Sequence, residues 1–214
     1  MKKAIGVLGG TFDPVHLGHI GLARDVYQQC ELAEMRLMPL FIPAHREKPL
    51  ASPEHRLRML RLAVADVPGL VIDERELLRQ GVSYSVDTLR SLRQEFHDSP
   101  VCMVMGADAF LSFHTWMDWQ EIPSLAHLII INRPGAVLEP ENGELQQFFS
   151  DTRTGQMADL HQEPAGRTLV LQLPERDISS TFIRQNIDNK KIVHPLLCED
   201  VYSYINKEGL YHRH

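Results

Sequence analysis

The chain has 214 residues, 43% of them hydrophobic and 23% charged, which is enough for one domain with a substantial core and unlike disordered or fibrous classes. A formal charge of −6 excludes a broadly basic nucleic-acid surface, so any affinity for phosphate must be local. No run approaches the roughly 18 apolar residues of a membrane span, and the start shows no secretory pattern, so a cytoplasmic protein without membrane attachment is expected.

In chain order, Ala4-Ile5-Gly6-Val7-Leu8 is an apolar run predicted as a buried strand. Gly9-Gly10-Thr11-Phe12-Asp13-Pro14-Val15-His16-Leu17-Gly18-His19 follows directly and leads into a helical pattern with Ile20, Ala23, Tyr27 and Cys30 on one face. A glycine-rich turn between strand and helix presents backbone N–H groups, here those of Gly9, Gly10 and Thr11, and the positive helix end to an anion. His16 and His19, three residues apart, fall one turn apart on the same side of the helix start. Two other readings stay open: Asp13, His16 and His19 as metal ligands, or histidines that are merely packed or solvated. Pro14 weighs against the metal, because it biases Asp13 to extended backbone, off the helical face. Neither the third Rossmann glycine nor the Walker lysine is present. Gly18 costs helix stability, which fits a close approach by backbone or ligand.

Met35 to Pro39 is a predicted second strand, and the proline-rich loop from Pro39 to Pro53 carries His45 and Arg46. Ser52-Pro53-Glu54 has the grammar of a capped helix start, with Leu57, Leu60 and Val64 on the inner side. Leu70 to Ile72 is a short strand. Val82-Ser83-Tyr84-Ser85 opens a helix from Ser85 to Phe96 whose Val86, Leu89, Leu92 and Phe96 point inward. Val101 to Met105 is a strand ending at Gly106, with Asp108 just beyond it. Trp116 and Trp119 follow at helical spacing. His127 to Ile131 is another strand, then Asn132-Arg133-Pro134. Residues 134–166 are polar and broken by Pro and Gly, and read as a surface excursion with one short helix from Leu145 to Phe149. Leu169 to Leu173 is the last strand, Ile178-Ser179-Ser180-Thr181-Phe182-Ile183-Arg184 opens a helix, and Leu197, Val201 and Ile205 make a C-terminal helical segment that stops at Gly209.

Unbroken apolar strands alternating with helices predict a single-domain α/β fold spanning 1–214: a Rossmann-like, doubly wound parallel sheet with right-handed crossovers and a C-terminal helical segment. In such a sheet ligands bind beyond the carboxyl ends of the strands. The segments carrying His19, Arg46, Asp108, Arg133 and Arg184 each follow a different predicted strand, so they should converge on one rim. Cys30, Cys102 and Cys198 have neither disulfide nor zinc spacing; Cys30 and Cys102 read as reduced core residues.

Gly-Gly-Thr-Phe-Asp-Pro-Val-His-Leu-Gly-His resembles the T/H-x-G-H motif of the nucleotidyltransferase superfamily, and Ile178 to Arg184 resembles its late Ile-Ser-Ser-Thr-x-Ile-Arg motif. Gly106-Ala107-Asp108, Thr115-Trp116 and Asn132-Arg133-Pro134 sit in the order and spacing of one branch, the bacterial nicotinate-mononucleotide adenylyltransferases. The resemblance runs from residue 4 to 211. It implies transfer of an adenylyl group from ATP to nicotinate mononucleotide, with Mg²⁺ arriving on the ATP phosphates and no protein-held metal. The reaction is in-line attack of the acceptor phosphate on the α-phosphorus, and the site must supply positioning and positive charge.

On that resemblance His19 serves the α-phosphate in the transition state and His16 orients the phosphates beside it. His45 and Arg46 ride a mobile lid over the triphosphate. Ser179 and Thr181 donate to the β- and γ-phosphates, and Arg184 adds a forked charge. Gly106 and Asp108 serve the ribose loop, and Arg133 flanks the adenine. Trp116 offers the pyridine ring a stacking face, whereas Trp119 packs. Backbone N–H groups near Ser85 and Met117 hold the nicotinate carboxylate. Three departures from the branch stand out: Ala44-His45-Arg46 lacks its proline, Thr115-Trp116-Met117 lacks its usual Tyr or His, and Val82-Ser83-Tyr84-Ser85 replaces Pro-Ser-Tyr-Thr. The rivals are pantetheine-phosphate adenylyltransferase, the cytidylyltransferases, and a non-catalytic nucleotide-binding module.

Overall fold

The computed structural model describes residues 2–44, 48–174 and 176–212. The chain begins with β1 (Ile5–Gly10), α1 (Leu17–Gln29), β2 (Glu34–Pro39) and the two-residue β3 (Ile42–Pro43). Then come α2 (Pro53–Val64), β4 (Leu70–Ile72), α3 (Arg75–Arg79), β5 (Val82–Ser83) and α4 (Ser85–Glu95). The second half runs β6 (Val101–Gly106), α5 (Ala107–Leu111), α6 (Ile122–Leu125), β7 (His127–Asn132), α7 (Gly143–Thr152), β8 (Arg153–Thr154) and β9 (Thr168–Gln172). Three short helices close it: α8 (Ser180–Gln185), α9 (Lys190–Val193) and α10 (Glu199–Glu208).

Seven strands form one parallel sheet in the order β4-β2-β1-β6-β7-β9-β8, with β3 and β5 pairing as a second, small parallel sheet. Alternate residues of a strand face opposite sides, and here both sides are covered. Cys102, Val104 and Ile129 join Ala23, Val26, Met59, Leu60, Val201 and Ile205 on the face under α1, α2 and α10. Val101, Met103, Met105, Leu128 and Ile130 pack with Val86, Leu89, Phe110 and Phe149 on the other, under α4, α5 and α7. Strand order runs outward from β1 in one direction and from β6 in the other, so the topological switch point lies between the carboxyl ends of β1 and β6.

The doubly wound α/β fold is as the sequence predicts, and several local details differ. The buried face of α2 is centred on Arg56, Met59 and Leu60, with Leu57 and Val64 only partly covered. In α1 the innermost residues are Gly21, Ala23 and Val26. Residues 134–166 contribute to the core: Leu145 and Leu160 are fully buried, β8 adds an edge strand beside β9, and His161 Nδ1 accepts the Ala4 N–H at 3.0 Å. Cys30 and Cys102 are buried free thiols, and burial raises the Cys30 thiol to about 11.

Candidate active site

The first motif is held by its own side chains. Gly9 and Gly10 are the last residues of β1, in register with Met38 and Pro39 of β2, so they close the strand and the turn proper begins at Thr11. This corrects the reading of the two glycines as turn residues. Gly10 must be glycine because Phe12, buried and at φ 51°, folds its ring back beneath it; a Cβ there would lie 2.7 Å from the ring. His16 is the N-cap of α1.

The rings of His16 and His19 stack with centroids 3.7 Å apart, and Phe12 meets His19 edge-on at 5.1 Å. The His16 backbone N–H donates to His19 Nδ1 at 3.3 Å, which leaves the His19 proton on Nε2. Gly18 makes room for this stack: a Cβ at that position would sit 2.9 Å from His16 Nδ1 and 3.4 Å from Ile178 Cβ. The close approach expected at Gly18 is therefore that of the His16 ring.

His16 is only 6% exposed, and burial lowers its pKa to about 4. It is neutral near pH 7, so its contribution is a neutral imidazole and not the positive charge expected of the site. The folded pKa lies below the ordinary value of 6.5, so His16 adds stability above pH 6.5 that is lost as pH falls toward 4. Between pH 7 and 5.5 the wild type should lose about 1 kcal/mol more than His16→Asn. Urea unfolding at both pH values measures this; equal losses would show that His16 titrates normally.

The rest of the turn is tied down from several directions. The Asp13 carboxylate accepts the backbone N–H groups of Leu50 (2.8 Å) and Ala51 (3.0 Å) and the Tyr211 hydroxyl (2.7 Å). Burial, with Asp13 beside it, pushes the Tyr211 phenol up, so Tyr211 remains a donor. Arg56 is fully buried and donates to the carbonyls of Thr11 (2.9 Å), Leu40 (2.7 Å) and Phe41 (3.3 Å). Arg56 and Tyr211 were not legible in the sequence: a charged residue in a helix reads as solvated, and a tyrosine just past the last helix reads as tail.

The late motif fastens directly onto this turn. Ser179 caps α8 by accepting the Phe182 N–H at 3.1 Å. Ser180 Oγ donates to the Pro14 carbonyl at 2.9 Å, and Arg184 donates to the Asp13 carbonyl at 2.7 Å and to Thr181 Oγ1 at 3.3 Å. Ser179 and Thr181 are exposed, and Arg184 brings the positive charge that His16 does not.

Across the switch point, Gly106 ends β6 and caps α5, with open space where a Cβ would lie; Asp108 is exposed in the first turn of α5. Asn132 is buried, accepts the Arg133 N–H at 2.9 Å and donates to the Ala136 carbonyl at 2.9 Å, which sets the turn that leaves Arg133 exposed beyond β7. Ser85 is the first residue of α4. Trp116 and Trp119 do not share a helix: Trp116 is extended after the short 3₁₀ turn Phe113–Thr115. Both pack edge-on against the buried Phe113, at 5.5 and 5.7 Å. Met117 is 48% exposed. His45 and Arg46 lie outside the described residues.

Every large-sheet strand is parallel, so the residues after β1, β6, β7 and β9 emerge on one edge. The structure also joins the early and late motifs through Asp13, Pro14 and Ile178. Among the described residues, Thr11 Oγ1 and His16 Nδ1 are both buried without a hydrogen-bond partner, His16 Nδ1 lying against the first turn of its own helix, and both belong to the same turn. Among the described residues, no three His, Cys, Asp or Glu side chains come together as a metal site, and no helix is long and apolar enough to cross a membrane.

The profile of the cytidylyltransferase-like family matches residues 7–186 of this chain. A Marinobacter nauticus protein named "Probable nicotinate-nucleotide adenylyltransferase" is 45% identical over 206 residues, 96% of this chain and 95% of its own. A Shigella boydii protein of the same name is 40% identical over 212 residues, 99% of this chain and 100% of its own. The solved structure of a Plasmodium falciparum nicotinic acid mononucleotide adenylyltransferase complexed with NaAD superposes with a TM-score of 0.71 over 98% of this chain and 97% of that one. At 15% identity, that similarity bears on the fold.

Proposed function

We propose the activity on one premise: this chain belongs to the cytidylyltransferase-like family and, within it, to the nicotinate-nucleotide adenylyltransferases. It transfers the adenylyl group of ATP to nicotinate mononucleotide, giving deamido-NAD and pyrophosphate. The observation that carries the reading at the level of chemistry is the turn from Thr11 to His19. It stands at the switch point, at the start of a 13-residue helix, with a stacked histidine pair and two buried polar atoms lacking partners. Such a place suits phosphate.

In this reading the acceptor phosphate, already an anion, attacks the α-phosphorus in line while pyrophosphate departs on the opposite side. His19 Nε2–H donates to the α-phosphate oxygens as charge moves onto them, and the neutral His16 ring holds His19 in place by stacking. The turn that begins at Thr11 offers backbone N–H groups. The Ser179 and Thr181 hydroxyls and the Arg184 guanidinium meet the β- and γ-phosphates. Gly106 and Asp108 take the ribose side, and Arg133 the adenine. Mg²⁺ enters as part of the nucleotide substrate and neutralises phosphate charge; Asp13, the acid nearest the histidines in sequence, already spends its oxygens on Leu50, Ala51 and Tyr211. A cytoplasmic setting belongs to the proposal, since both substrates are multiply charged phosphates. Pyrophosphate release from ATP, measured across nicotinate mononucleotide, phosphopantetheine and a buffer blank, tests the assignment. Release with phosphopantetheine alone would overturn it.

For the acceptor, Trp116 supplies a stacking face, and backbone N–H groups near Ser85 and Met117 hold the ring carboxylate. An anionic carboxylate accepts charge-assisted bonds from two such donors, whereas an amide turns an NH₂ toward one of them. The kcat/KM for nicotinate mononucleotide should exceed that for its amide by roughly 10²-fold. Because the donors are main-chain, Ser85→Ala should leave this ratio nearly unchanged, and Trp116→Ala should weaken both acceptors together. Equal efficiencies for acid and amide would remove the carboxylate site from the proposal.

A further inference from the structure

The acceptor site is assembled from two separate pieces of chain, the start of α4 at Ser85 and the turn at Trp116–Met117. Among the described residues, the Arg90 side chain bridges them through hydrogen bonds, beside the apolar packing of Val86 and Leu89 with Phe113 and Trp116. Arg90, on α4, donates through Nε to Glu121 Oε1 at 2.9 Å and through Nη2 to both Glu121 Oε2 and Asp118 Oδ2, the latter at 3.0 Å. Its Nη1 holds Asp87, one helical turn back on α4, at 3.1 Å. Asp118 directly follows Met117 and has a left-handed φ of 48°, and the Glu121 N–H donates to the Asp118 carbonyl at 2.9 Å, so Asp118 and Glu121 belong to one hydrogen-bonded turn. The far end of the same helix is tied down independently: Arg93 donates to the Leu125 and Pro164 carbonyls at 2.5 and 2.9 Å. Arg90, at the middle of α4, ties the helix to the turn that carries Met117.

The charges are unbalanced around this tie. One guanidinium faces three carboxylates, Asp87, Asp118 and Glu121, a net of −2 beside the place proposed for an anionic ring substituent. We propose that Arg90 is a positioning residue for acceptor choice: it fixes the spacing between Ser85 and Met117 and offsets the acidic cluster that would otherwise repel a carboxylate-bearing ring. This rests on the acceptor reading above. The side chain is 40% exposed, so its removal costs the fold little. The consequence for substrate is directional. Without Arg90 the three carboxylates stand uncompensated, and the local field turns against the acid acceptor while hardly touching the uncharged amide substituent.

The experiment compares kcat/KM for nicotinate mononucleotide and its amide in wild type, Arg90→Gln and Arg90→Lys, with KM for ATP and the urea midpoint measured alongside. Arg90→Gln should lower the acid-to-amide ratio by roughly tenfold, chiefly by raising KM for the acid, with KM for ATP and the urea midpoint little changed. Arg90→Lys keeps the charge but loses the fork, and should recover part of the ratio. Added salt should restore part of the ratio in Arg90→Gln by screening the exposed carboxylates. An acid-to-amide ratio in Arg90→Gln within twofold of wild type, or a loss shared equally by both acceptors and ATP, overturns the inference while the acceptor reading stands. A wild type that uses acid and amide equally overturns both.

Discussion

His19→Ala should lose roughly 10²–10³ in kcat while keeping its fold and most of its ATP affinity, the cost of removing one preorganised donor from a developing oxyanion. The geometry suits His19 to the donor role proposed for it. Its Nδ1 accepts the His16 N–H, which commits the ring to carrying its proton on Nε2. One face is occupied by His16 and an edge contact by Phe12, so the ring has little freedom left to lose on reaching the transition state. ATP binding should survive because the triphosphate has other partners proposed in Arg184, Ser179 and Thr181, none of which depends on His19. Steady-state kcat together with equilibrium ATP binding measures this; a variant keeping more than a tenth of wild-type kcat would place the transition-state donor elsewhere.

The parts of this molecule legible in the sequence are those where one local pattern fixes one environment. β6, β7 and β9 read as strands because both of their faces are buried, which leaves nearly continuous apolar runs. Ser52 and Gly209 mark helix ends because their chemistry at those positions is narrow. The two-residue strands β3, β5 and β8 have no period to read, and they exist only through their partners across the sheet. The same division holds at the site. The histidine pair, Ser179 and Arg184 stand in motifs whose spacing reports their proximity to one another. What holds those motifs together is long-range: Asp13 is reached by Tyr211 from 198 residues away and by Arg184 from 171. The charge state of His16 is long-range as well. The sequence leaves open whether His16 is packed or solvated, and only the packing around the turn shows that it is buried and neutral.

Arg56→Met should destabilise the protein by about 3–5 kcal/mol, although Arg56 touches no proposed substrate atom. A methionine fills much of the same volume, so the loss reports hydrogen bonds and charge more than a cavity. Three backbone carbonyls, those of Thr11, Leu40 and Phe41, would lose the guanidinium that satisfies them. Asp13, 3% exposed, would lose a neighbouring positive charge; Arg184, at 3.9 Å, stays close to its carboxylate. Burial alone works against a charged Arg56, lowering its pKa, so the group is retained for what it holds. What it holds is the join between the first motif and the chain after β2, the segment that leads to His45 and Arg46. Urea unfolding at pH 7 gives the stability, and KM for ATP gives the second readout, which should rise because the Thr11 turn loses its anchor. Arg56→Lys should fall between the two, since one ammonium cannot serve three carbonyls in the plane of a fork. A loss below about 1 kcal/mol in Arg56→Met, with KM for ATP unchanged, would mean that the turn is held by Asp13, Ser180 and Arg184 without it.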